Sequence, residues 1–252
     1  AHVISEGPKS LRTNPAIHWI LALAKLPHGE DAWSMQSIRS LAVQKTLPFV
    51  DGWLSGGQHP SEPIAQARAH PGILEDVARS YHILGGPGAL SRWLHALDNW
   101  RPDPLMIGYQ KTMLSLEETQ WWMRNLIELL RPLLTEEDKL AVDEFGEICG
   151  ALYHSNLPIT NSVESGDEWL QSLLRVVDWN VIVDRTDGSV TGMQQLMELT
   201  NRCKVMLDAA GHVRKTTGLG WVEELELMIS DSVISSKREM GELQLLTPSA
   251  SL

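Results

Sequence analysis

The sequence predicts an all-α fold, an irregular helical bundle of about eight helices, and two observations lead to it. Apolar residues recur at helical spacing in every long periodic segment, and proline and glycine separate these segments. Ten tryptophans stand against only two phenylalanines and three tyrosines, and four of the tryptophans fall within residues 93–122. Large aromatic side chains in a helical pattern predict a packed helical core.

The first two helices are placed by signals at their ends. Asn14 is a favoured N-cap, and Pro15 follows it at the first helical position, where proline is well tolerated. The apolar stripe of this helix stops before Pro27. A second helix is predicted from Glu30 to the neighbourhood of Thr46, because apolar residues resume the helical spacing there.

Proline and glycine then break the pattern between Pro48 and Pro63, which indicates a linker or an ordered loop. The sequence therefore predicts amino-terminal helices with a Pro/Gly-rich linker over residues 1–70 and a main helical domain over residues 71–252. A helix is predicted from Pro71 onward. The run Gly85-Gly86-Pro87-Gly88 is predicted to be the turn that leads to the next helix.

The centre of the chain carries two further cap signals. Ser115 and Glu118 have the spacing of a capping box, which predicts that a helix begins there. Thr135 with Asp138 is predicted to cap the following helix, so that two antiparallel helices are tightly joined. The inward face of that second helix is predicted to carry Leu140, Phe145, Ile148, Cys149 and Leu152.

Three more helices are predicted from helical spacing within residues 169–177, 193–207 and 222–233. The β-branched residues of 176–183 leave a strand as an alternative for that stretch.

Composition excludes several classes of protein. The net charge of −11, from 32 acids against 21 bases, argues against a surface that tracks a phosphate backbone and favours a basic protein partner. Apolar runs are too short to span a bilayer, and no secretory signal pattern is present, so no membrane contact is expected. Cys149 and Cys203 lack metal or redox spacing, which favours buried thiols in the cytoplasm and nucleus.

No motif for catalysis, phosphate binding or metal binding is found, so the chain is expected to be non-enzymatic and to need no cofactor. The alternative is an α-helical enzyme or small-ligand domain whose site is formed by dispersed residues such as His82, His95 and Glu118. A helical protein that assembles with itself is a third possibility.

Acidic residues concentrate in one predicted helix, where six acids fall within twelve residues and only Lys139 opposes them. Four of them are predicted to form an acidic docking face for a basic partner: Glu136, Glu137, Asp143 and Glu144. The alternative is a helix face that is merely solvated.

One stretch of the chain resembles a known family. The order of residues is Pro71-x-Ile73-Leu74, Val77-x-Arg79, Leu94-x-x-Leu97-x-Asn99-Trp100, Trp121, Leu126, Leu129, Pro132-Leu133-Leu134, Glu136 and Leu140. It resembles the helical domain of the Gemin-two family, partner of the survival-motor-neuron protein in the assembly of spliceosomal Sm cores. The resemblance covers residues 71–140, and the extended amino-terminal arm of the family has no match here.

The resemblance implies a non-enzymatic scaffold or assembly chaperone that holds basic Sm proteins during snRNP assembly, and so serves mRNA processing and splicing without contacting nucleic acid directly. It also implies that a helix of the survival-motor-neuron protein lies in an apolar groove between helices. The residues expected to line this groove are Trp100, Trp121, Leu126, Leu129 and Leu133. An ordinary role in the core is the alternative for each of them.

Overall fold

A computed structural model of the chain describes residues 9–11, 14–42, 68–149, 166–176, 198, 201, 218–230 and 233–234. Eight α-helices run through these residues: α1 Pro15–Lys25, α2 Met35–Ala42, α3 Pro71–Ser80, α4 Ala89–Asn99, α5 Tyr109–Leu130, α6 Glu136–Cys149, α7 Gly166–Val176 and α8 Leu219–Ser230. The all-α prediction is confirmed. Two short strands, β1 Lys9–Ser10 and β2 Val233–Ile234, pair in antiparallel fashion.

The start of α1 is confirmed as predicted, because Asn14 Oδ1 accepts hydrogen bonds from the backbone N–H groups of Ala16 and Ile17, at 2.9 and 3.4 Å. The helix ends at Lys25, before Pro27. The second helix begins later than the predicted Glu30. It starts at Met35 because residues 26–34 form turns, in which the Trp33 N–H reaches back to the carbonyl of Leu26 at 2.9 Å.

The predicted capping box at Ser115 and Glu118 is wrong, because α5 already begins at Tyr109. Its N-cap is Gly108, which lies in the left-handed region at a φ of 86°. Ser115 is therefore inside the helix, where its carbonyl accepts a hydrogen bond from Thr119 Oγ1 at 2.7 Å. No breaker separates residues 109–115 from the rest of the helix, and helical spacing alone does not fix a start.

The next cap is correctly predicted. Thr135 Oγ1 accepts a hydrogen bond from the Asp138 N–H at 3.1 Å, and α6 begins at Glu136. A single 3₁₀ turn, Arg131–Leu133, joins α5 to this cap.

The predicted inward position of Leu140 is wrong, because its side chain is 69% exposed. The helix turns Asp138 and Val142 inward instead, and it packs most extensively against α4. Leu140 is two residues from each of them, about 200° around the helix axis, which places it on the solvent side. The side chains of Phe145, Ile148, Cys149 and Leu152, the thiol of Cys203 and the stretches 177–183 and 193–197 lie outside the described residues.

One hydrophobic core draws on all eight helices. Five tryptophans are fully buried in it: Trp33, Trp93, Trp122, Trp169 and Trp221. The predicted boundary near residue 70 stays a prediction, but residues on both sides of it contribute to this one core. None of the helices described is both long enough and apolar enough to cross a bilayer.

The packing of α7 against α8 depends on Gly166. Trp169 and Trp221 meet edge to face with ring centroids 5.9 Å apart, and Trp221 Nε1 donates a hydrogen bond to Asp167 Oδ1 at 2.9 Å. This arrangement brings the Trp221 ring onto the α-carbon of Gly166, where a β-carbon would overlap the indole. Only glycine leaves room for the indole at this position.

We predict that Gly166→Ala destabilises the chain by about 1–3 kcal/mol, because the added methyl group overpacks a buried site. Gly72→Ala is the matched control, since nothing lies within 4 Å of the β-carbon it would add to α3. The control is expected to be neutral or stabilising by about 0.5–1 kcal/mol. Denaturant unfolding of both variants checks the prediction, and equal effects would contradict the packing described for Trp221.

Candidate functional site

The solvent side of α6 gathers acidic side chains around one apolar residue. Residues three, four and seven positions apart share a helix face. Glu136, Leu140 and Asp143 meet this spacing, and so do Glu137, Leu140 and Glu144. Leu140 is thus an exposed apolar side chain ringed by four acids, and these five residues are called the α6 acidic face below.

Two of the four acids already have a cationic partner. Lys139 Nζ lies 2.7 Å from Glu136 Oε1, and Arg131 Nη1 lies 3.7 Å from Asp143 Oδ1. Within the described part of the chain, neither Glu137 nor Glu144 forms an ion pair. These two exposed carboxylates therefore hold the negative charge that is most available to a partner.

The α6 acidic face is held in place by a buried carboxylate on the opposite side of the helix. Asp138 Oδ2 accepts a hydrogen bond from Trp33 Nε1 at 3.1 Å. The Trp33 carbonyl in turn accepts one from Trp93 Nε1 at 2.7 Å. The first turn of α6 is thereby tied to the turn before α2 and to α4.

Burial raises the pKa of Asp138 above its ordinary value, and the nearby charge of Glu137 raises it further. Hydrogen bonds from Trp33 and Thr135 oppose this rise, because they stabilise the ionised carboxylate. Asp138 belongs to the acidic cluster of the sequence, yet its side chain is inaccessible to a partner.

A second buried acid fixes the junction of α5 and α6. Glu128 is 5% exposed, and Arg131 donates a hydrogen bond to each of its carboxylate oxygens, from Nε at 3.1 Å and from Nη2 at 2.9 Å. The hydrogen bond with Glu128 raises the pKa of Arg131, so its guanidinium remains charged. Because the same guanidinium reaches Asp143, it links the end of α5 to the α6 acidic face.

The residues predicted to line a groove for a partner helix fall into two groups. Leu126, Leu129 and Leu133 are buried in the core, each at most 1% exposed. Trp100 and Trp121 are partly buried and pack against the core from outside, and Arg124 stacks 5.0 Å from the centroid of the Trp121 ring. Of the five predicted groove residues, only these two tryptophans are therefore accessible to a partner helix in the free chain. The groove itself stays a prediction.

The dispersed residues of the alternative enzyme hypothesis have other neighbours. Glu118 Oε2 is hydrogen-bonded to His70 Nε2, and the ring of His95 lies edge-on to Tyr81 with the ring centroids 5.9 Å apart. No hydrogen bond joins His82, His95 and Glu118 in the part of the chain that the structure describes. Across the same residues, no three His, Cys, Asp or Glu side chains are grouped so that they could hold a metal ion.

Leu140 is the candidate functional residue that sequence reasoning misplaced. A signal was present, since Asp138 and Val142 compete with it for the inward side of α6, but an aspartate is a poor candidate for burial until its partner Trp33 is known.

No protein-family model matches the chain, and no curated protein or solved structure matches it.

We predict that Trp122→Ala costs about 3–5 kcal/mol of stability, as expected for a fully buried tryptophan, and that Trp121→Ala costs clearly less. Thermal or denaturant unfolding of the two variants provides the comparison. Equal losses would show that Trp121 is as much a core residue as its neighbour, and that it is not available to a partner helix.

We predict that Asp138→Asn is tolerated better at neutral than at acid pH. The raised pKa means that ionisation of Asp138 costs stability as the pH rises above the ordinary carboxyl value of 3.8 and through the folded-state value. Asparagine keeps an oxygen for Trp33 Nε1 and carries no charge. Between about pH 3 and about pH 7, the melting temperature of the variant should therefore rise relative to that of the wild type. A shift in the opposite direction would show that burial is not the main influence on the pKa of Asp138.

Proposed function

We propose that this chain is a non-enzymatic scaffold that binds basic Sm-type proteins through the α6 acidic face during spliceosomal snRNP assembly, in the cytoplasm and nucleus. The observation that carries the proposal is the exposed Leu140 at the centre of four acids. The resemblance of residues 71–140 to the Gemin-two family supplies the class of partner, and this stretch includes α6 up to Leu140.

The two kinds of side chain on the α6 acidic face serve different steps of binding. Carboxylates attract a basic partner from a distance and raise the association rate. An apolar anchor that becomes buried contributes affinity and slows dissociation. Glu137 and Glu144 fit the first role, and Leu140 fits the second.

The rigid setting of α6 also supports this function. Buried hydrogen bonds on Asp138 and Glu128 fix the helix from both sides of the capping turn. Because the docking side chains stand on a helix that is already ordered, binding loses little conformational entropy. A scaffold that holds several partners in register needs such a fixed frame.

A second contact is proposed for the helix of a survival-motor-neuron-like protein. Trp100 and Trp121 are the predicted groove residues that reach the surface, and a partly exposed tryptophan offers a large apolar contact. An amphipathic helix would bury the outer faces of these two rings through anchors three and four residues apart.

The docking proposal predicts that Glu137→Lys combined with Glu144→Lys slows association with purified Sm proteins by roughly tenfold or more and reduces its salt dependence. Folding should change little, because exposed charges contribute only about 0–1 kcal/mol each. Adding Glu136→Lys and Asp143→Lys should deepen the loss. Stopped-flow or surface-based kinetics over a salt series measures the effect.

The matched control is Asp76→Lys combined with Glu223→Lys, which changes the net charge equally at exposed positions on α3 and α8, two helices that do not pack extensively against α6. It should leave the association rate near that of the wild type. Leu140→Ala should speed dissociation and leave association unchanged. Equal slowing by both lysine pairs, or wild-type kinetics in the α6 variant, would rule out this face as the docking site.

A further inference from the structure

A groove with a volume of about 530 Å³ opens along the first half of α5. Its lining is mainly apolar, from Tyr109, Met113, Leu114 and Leu116, and Arg101 and Glu117 supply opposite charges. The volume falls within the range of roughly 300–1,000 Å³ that is usual for sites that enclose apolar groups. None of the predicted site residues lines it.

The loop before α5 carries an exposed apolar tip beside this groove. Leu105 is 92% exposed, and Ile107 is completely exposed. Both ends of the loop, Arg101 and Tyr109, line the groove, so the loop begins and ends at its rim. Leu114, which is 62% exposed, extends the apolar surface along α5. An exposed apolar loop and a groove with a mainly apolar lining thus adjoin each other.

The charges of this face are balanced, unlike those of the chain as a whole. Arg101 and Lys111 are exposed beside the groove, and Asp103 and Glu117 oppose them. The whole chain carries a net charge of −11, so two copies repel each other at long range. Across the described residues, neither Arg101 nor Glu117 forms an ion pair with a side chain of the same molecule.

We infer that this face binds a second copy of the chain. A patch that contains both a projection and a matching depression is self-complementary, and a two-fold axis brings each projection to the other copy's depression. In this dimer, Leu105 and Ile107 of each copy enter the groove of the other. Arg101 of each copy faces Glu117 of its partner, which gives the charge complementarity that the rest of the acidic surface lacks.

Sedimentation velocity of the full chain over a concentration series tests the inference, and the wild type should pass from monomer to dimer. Ile107→Asp should abolish dimerisation, and Leu84→Asp, at another exposed leucine away from the groove, should not. Arg101→Glu and Glu117→Arg should each raise the dimer dissociation constant by at least about tenfold, since like charges then face each other.

The decisive sample mixes the two single variants. The variant Arg101→Glu carries an acid at both position 101 and position 117, and the variant Glu117→Arg carries a base at both positions. An equimolar mixture should therefore form a heterodimer, although each variant alone is monomeric. The double variant, with both charges exchanged, should dimerise like the wild type. Circular dichroism should show unchanged folding in all variants. A wild type that stays monomeric at every concentration, or a mixture that fails to associate, would overturn the proposed dimer.

Discussion

The hydrogen bond from the Trp33 indole to Asp138 is the contact on which the position of α6 depends. It joins the turn before α2 to the first turn of α6, and the Trp33 carbonyl binds the indole of Trp93 on α4. A bond to a charged group contributes about 1.5–3 kcal/mol, and its loss would leave Asp138 buried without this donor. Trp33 is held at a φ of 53°, a conformation that costs an L-residue about 1–2 kcal/mol, so the surrounding contacts must outweigh that strain. A second buried hydrogen bond of this kind, from the Trp221 indole to the Asp167 carboxylate, lies at the start of α7.

Structural features that depend on residues close together in the sequence could be predicted. Features that depend on a contact between residues far apart in the sequence could not. The caps at Asn14 and Thr135 were predicted correctly because each satisfies backbone groups two or three residues away. Helical spacing alone predicts that Leu140 faces inward, because nothing near it in the sequence shows that Asp138 has a buried donor 105 positions earlier in the chain. For the candidate site, the acidic residues were predicted, but the exposed leucine at their centre was not. Leu126 and its neighbouring leucines show a related limit, since helical spacing cannot tell a groove from a core.

The helices present two surfaces that differ in charge. The α6 acidic face is strongly charged and suits a basic partner, whereas the face around Arg101 and Glu117 is balanced and suits a like-charged copy of the same chain. A scaffold that dimerises through the second surface would present two acidic faces at once. Two linked sites bind a multivalent partner more strongly than either site alone.

Native-state hydrogen exchange of the wild type and of Trp33→Phe is the most direct test of whether the bond between Trp33 and Asp138 holds α6 in place. The substitution keeps an aromatic ring but removes the donor to Asp138. If this bond joins the turn before α2, α4 and α6 into one cooperative unit, protection should fall by a similar amount, about 1–3 kcal/mol, in α2, α4 and α6. A loss confined to α6, or no loss in any of the three helices, would contradict this role of the bond.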